Sequence, residues 1–95
     1  MLIKYAKDKT TCITCDGSEI YEALNPKNDS VDIPYSIAIA RAEPFASTKE
    51  YFLPYTEIYY ILKEKGKVTV GPDTSDVTEG DTILIPPRKN QFIEN

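Results

Sequence analysis

Residues 80–95 read GDTILIPPRKNQFIEN: a glycine turn, an apolar strand, a double-proline turn and a second strand ending at Asn95. Glycine opens the positive-φ conformations that tight turns need, and proline is kept out of central strands. The block therefore dictates two short strands, Thr82 to Ile85 and Gln91 to Glu94, held close by Pro86-Pro87. A chain built around such a unit is committed to β-structure.

The rest of the sequence repeats the pattern. Short runs of apolar and β-branched residues alternate with turn residues, as in sandwiches and barrels, and no sustained helical period occurs. The further strands expected are Leu2 to Tyr5, Thr10 to Thr14, Glu19 to Leu24, Ser36 to Ala42, Glu57 to Leu62 and Lys67 to Val70. They are punctuated by Asp16-Gly17, Asn25-Pro26, Glu43-Pro44 and Gly71-Pro72. Asn25 to Asp32, polar and proline-bearing, is expected to be the most mobile loop. The stretch YTEIYYILKEKGKVTVG, from Tyr55 to Gly71, reads as a β-hairpin with a charged tip at Lys63, Glu64, Lys65 and Lys67. Alternation puts Glu57, Tyr59 and Ile61 on one face. Tyr55 and Tyr60 point the other way, as interface aromatics or as the outer side of a packed sheet.

With 95 residues the chain is expected to form one domain over 1–95, all-β, with a single modest core. Eleven basic against fifteen acidic residues give a net charge of -4, and no Lys/Arg run tracks a phosphate backbone, so nucleic acid is not an expected partner. Apolar stretches are strand-sized and the N-terminus lacks an apolar leader core, which predicts no membrane association and a cytoplasmic protein. Cys12 and Cys15 form a lone C-x-x-C. A structural zinc site wants four ligands, and the chain has no second pair and no histidine. The flanking Thr and Ile suit a strand better than the helix start of a redox dithiol.

The segment around Glu57 and the 80–95 block together resemble the cupin superfamily, whose motifs run G-x5-H-x-H-x3-E-x6-G and G-x5-P-x-G-x2-H-x3-N. The resemblance covers roughly residues 36–95, with Glu57, Gly80, Pro86 and Asn95 in register. It implies a jelly-roll-like cupin β-barrel. The family normally adds one or two strands after the motif asparagine, so a chain ending at Asn95 is expected to be short of its last strands or truncated. Cupin relatives commonly dimerise by exchanging N-terminal strands, and a homodimer formed by strand addition or exchange is what the resemblance implies.

Carried over residue by residue, the motifs place Tyr51, Leu53 and Gln91 where the three histidines would stand. Phe45, Glu64 and Arg88 take the place of three glycines. Metal-binding cupins combine imidazole nitrogens with one carboxylate. Only the carboxylate, Glu57, is kept, so no metal and no cofactor are expected. The three lost glycines sit where φ is often positive, at a cost of up to about 1 kcal/mol for a side chain. The candidate ligand-binding residues are Tyr51, Leu53, Glu57, Tyr59 and Gln91, with Phe45 and Ile61 completing an apolar wall. None is assigned a catalytic role. A Glu/Tyr pair can exchange a proton, but the metal-free epimerases of the superfamily resemble a pattern with a catalytic histidine, and this chain has none.

Three functions stay open. The first is a metal-free cupin with a small pocket for a partly apolar ligand. The others are a metal-dependent cupin enzyme with atypical ligands and a non-catalytic scaffold or assembly protein whose tyrosines fill the barrel.

Overall fold

The computed structural model describes residues 1–13 and 18–95. Cys15 of the C-x-x-C pair and the Asp16-Gly17 turn lie outside the described residues. The chain divides into two compact units, 1–41 and 42–95, and its regular structure is β apart from one turn of 3-10 helix at Ala6–Asp8.

In the first unit, β1 (Cys12–Ile13), β2 (Glu19–Leu24) and β3 (Ile37–Arg41) form an antiparallel sheet in the order β1-β2-β3. The β2–β3 register runs from Glu19↔Arg41 to Leu24↔Ile37 and shifts between Glu22 and Leu24, just before Asn25-Pro26 ends the strand. The strand expected over Leu2 to Tyr5 does not form. Leu2, Ile3 and Tyr5 are exposed, and among the described residues no strand lies alongside them. The chain instead closes the short helical turn, with Asp8 N donating to Tyr5 O at 3.0 Å.

The loop after β2 is stitched by its own side chains. Asn25 Oδ1 accepts from Lys27 N at 3.0 Å, the local bond that suits asparagine to turns. Asp29 Oδ2 accepts from Asn25 N at 3.0 Å and pairs with Lys4 Nζ at 3.1 Å. The Asn25 amide first, and then Lys4, hold the Asp29 carboxyl below the usual carboxylate range.

The second unit contains β4 (Glu57–Tyr60), β5 (Lys65–Val70), β6 (Asp73–Thr78), β7 (Thr82–Ile85) and β8 (Gln91–Glu94). The hairpin expected over Tyr55 to Gly71 is not present. β4 pairs antiparallel with β7, Glu57 opposite Ile85 and Tyr59 opposite Ile83, while β5 lies between β6 and β8 in a separate sheet. Glu64, in the left-handed region at φ 70, turns the chain between β4 and β5. The true hairpin is β5–β6, closed by Gly71-Pro72 with Gly71 at φ 58, the glycine-first loop that fits the twist of two paired strands.

Sequence reasoning missed β6. Its residues DTSDVT have poor strand propensity apart from Thr and Val, and Val77 is its one buried side chain. Pairing to β5 holds it, with Lys67 directly opposite Asp76.

Gly66 shows why β5 and β8 approach so closely: a Cβ there would meet the Glu94 carbonyl oxygen at 2.6 Å. The buried apolar residues of this unit are Val68, Val77 and Ile85. Phe45, Glu64 and Arg88, the three residues standing at motif glycines, are the non-glycine residues with positive φ among those described, at 64, 70 and 61°. At these three positions the backbone holds the conformation that glycine adopts most readily.

Candidate functional site

Alternation along β4 turns Glu57 and Tyr59 inward and leaves Ile58 and Tyr60 exposed. Directly opposed residues of an antiparallel pair share a face, so Ile85 and Ile83 of β7 lie beside Glu57 and Tyr59. In β8, the inward position is Gln91, opposite Val70 of β5 and only 1 % exposed. Tyr51, outside the named strands, forms an isolated antiparallel bridge with Gln91. Three of the four motif ligand positions therefore converge, as the register of both motifs requires.

Their polar atoms form one network. Tyr51 Oη donates to Glu57 Oε1 at 3.0 Å, with Oε2 at 3.3 Å, and lies 3.2 Å from Tyr59 Oη. Tyr59 Oη donates to Gln91 Oε1 at 2.5 Å, and Gln91 Nε2 donates to Glu57 Oε1 at 3.0 Å. Glu57 is the common acceptor. Among the described contacts, two phenol protons serve all of these hydroxyl bonds, so acceptors outnumber the phenol protons there. Burial first, then the hydrogen bond with Tyr51 and the charge of Glu57, push the Tyr59 phenol far above its ordinary range. It is a fixed proton donor.

Leu53 stands apart from the polar network. It is half-buried, and its carbonyl accepts from Arg88 N at 2.7 Å. Phe45, expected in the apolar wall, is 100 % exposed: its left-handed backbone turns the ring to solvent. Ile61 is half-buried. The wall residues that sequence reasoning missed are Ile83 and Ile85, and the signal lay in the alternation of TILI once β7 is paired with β4. Two shallow surface depressions lie elsewhere, one beside Lys63, Lys65 and Glu79 and one beside Tyr5, Tyr21 and Glu22.

No protein-family model matches the chain. Over 97 aligned positions it is 41% identical to the uncharacterized protein MJ1618 of Methanocaldococcus jannaschii, an alignment that spans 99% of this chain and 76% of the relative. Two solved structures share its fold. An RmlC-like cupin from Shewanella frigidimarina NCIMB 400 superposes with a TM-score of 0.76 at 10% identity, over 96% of this chain and 77% of the other. The polyketide cyclase RemF from Streptomyces resistomycificus gives a TM-score of 0.83 at 17% identity, over 100% and 70%. No helix among the described residues is long and apolar enough to cross a membrane.

Proposed function

We propose that this chain, which belongs to the family of the uncharacterized MJ1618 and has the fold of the cupin structures, is a metal-free cupin that receives a small, partly apolar ligand at Glu57. The metal chemistry of the fold draws on imidazole nitrogens, and this sequence has no histidine. Among the described residues, no three His, Cys, Asp or Glu side chains gather into a group that could hold an ion. The groups that replace the imidazoles are bonded to one another. Tyr59 keeps its proton, Gln91 Oε1 is taken by that proton, and Gln91 Nε2 is a donor aimed at Glu57. Such a set does not fit iron, manganese, nickel or zinc.

One observation carries the ligand reading. Among the hydrogen bonds between described residues, Glu57 Oε1 accepts from Tyr51 at 3.0 Å and from Gln91 at 3.0 Å, whereas Oε2 takes the longer 3.3 Å arm from Tyr51. The carboxylate so keeps acceptor capacity beside Ile83 and Ile85, and Tyr51, 39 % exposed, marks the open side. A small molecule with an apolar body and one donor matches that combination. A fragment screen read by amide chemical shifts tests it. Responses concentrated at residues 51–59 and 91 support the reading, and none there removes it.

The scaffold alternative rests on Gln91. Both of its amide atoms are bonded inside the cluster, which makes the network a cross-tie between β4 and β8 whether or not a ligand arrives. The same screen, returning nothing, favours that role.

A further inference from the structure

We propose that the ligand of this site is an organic amine, bound as a primary ammonium ion at Glu57. The inference deepens the ligand-binding reading above and rests on it.

Among the described residues, the cluster contains one charged group. Glu57 is approached by Tyr51 Oη and Gln91 Nε2, both neutral donors, and the ion pair between described residues, Lys4 with Asp29, does not involve it. A carboxylate withdrawn among Ile83, Ile85 and Tyr59 carries a negative charge that hydrogen bonds to neutral groups solvate and do not cancel.

The protons point the same way. Tyr59 donates its hydrogen bond to Gln91, Gln91 and Tyr51 donate theirs to Glu57, and the Tyr51–Tyr59 contact at 3.2 Å competes for protons already engaged. What such a corner lacks is a donor, and above all a donor that brings positive charge. An ammonium group supplies three N–H bonds and the missing charge together. A carboxylate or phosphate ligand would meet Glu57 with like charge and bring acceptors to a site already rich in them. A neutral alcohol would satisfy the hydrogen bond alone. The isoleucines beside Glu57 favour an apolar substituent on the amine, and the net charge of -4 draws cations toward the molecule.

The test uses three probes of matched size on the full chain: benzylamine, benzyl alcohol and benzoate, each titrated while the amide resonances of residues 51–59 and 91 are followed. The expected result is that benzylamine binds about tenfold more tightly than the alcohol, the margin between charge-assisted and neutral hydrogen bonds, while benzoate gives no response. Added salt should weaken the amine and leave the alcohol unchanged. In Glu57→Gln the amine should lose its advantage while the alcohol still binds. If the alcohol binds as well as the amine, or the amine's advantage survives both salt and Glu57→Gln, the amine assignment is wrong and the ligand-binding reading stands. If none of the three perturbs the site, both are overturned. The salt titration on the unmodified protein decides the matter should Glu57→Gln fail to fold.

Discussion

Tyr51 and Gln91 exchange both backbone hydrogen bonds, Tyr51 N to Gln91 O at 3.1 Å and Gln91 N to Tyr51 O at 2.8 Å. Two residues forty positions apart in sequence are thereby set directly opposite one another, each at a place where the resemblance puts a histidine. The backbone brings two motif positions together while the side chains there are not imidazoles.

Protein purified without added metal should therefore contain no stoichiometric iron, manganese, nickel or zinc by mass-spectrometric analysis. The triple change Tyr51→His, Leu53→His and Gln91→His should create measurable affinity, because the backbone already presents 51 and 91 side by side. About one transition-metal ion per chain in the unmodified protein would contradict the metal-free assignment.

Gln91→Leu keeps the volume of a buried side chain and removes its amide. Tyr59 Oη then loses its acceptor and Glu57 loses a donor inside the structure, a loss of about 2–3 kcal/mol for groups left unsatisfied. Urea denaturation should show a lower midpoint with an unchanged slope. An exposed substitution such as Lys89→Ala should leave it within about 0.5 kcal/mol.

Alkaline pH should act through Tyr59. Its phenol is raised in the folded chain and returns to the ordinary value of 10.0 on unfolding, so the folded state binds its proton more tightly. This contribution to stability is complete below about pH 10 and is lost as the pH rises beyond it. Tyr59→Phe should flatten the fall in stability above that range, and tyrosinate absorbance should show one phenol that ionises only as the protein unfolds.

The left-handed residues give a prediction of the opposite sign. Phe45→Gly, Glu64→Gly and Arg88→Gly each relieve a positive φ, offset in part by the greater freedom of glycine in the unfolded chain, and each should stabilise by up to about 1 kcal/mol. Phe45→Gly should gain most, since its ring is wholly exposed and contributes no packing. A loss of stability at 45 would mean that the ring is covered by something in solution.

The exposed edge of β3 predicts self-association. Its residues IAIAR are all exposed, its pairing is to β2 alone among the described residues, and charge appears only at Arg41. A strand edge without gatekeeping charges accepts another strand. Light scattering should give twice the chain mass, and Ile39→Lys should return the protein to a monomer.

Three strands are legible in the sequence to the residue. Thr82–Ile85 and Gln91–Glu94 have the expected bounds, as does Glu19–Leu24, because propensity, alternation and turn residues agree in each. The motif register locates Tyr51, Glu57 and Gln91, and it also locates the three strained turns. What escapes is pairing. Nothing local in YTEIYYILKEKGKVTVG says that β4 belongs with β7, well beyond the next two strands, and a strand as polar as DTSDVT is made by its neighbour. The error at Phe45 has the same origin. Its direction is set by a backbone angle that the sequence pattern would assign to glycine.

Gln91 also constrains what the chain can become. Its backbone secures Tyr51 and its side chain secures Tyr59 and Glu57, so a histidine placed there would have to serve both partners with the same ring nitrogens that a metal would need. Installing a metal site in this cluster therefore requires several positions to change together, which makes the glutamine an entrenched residue rather than a vacant one.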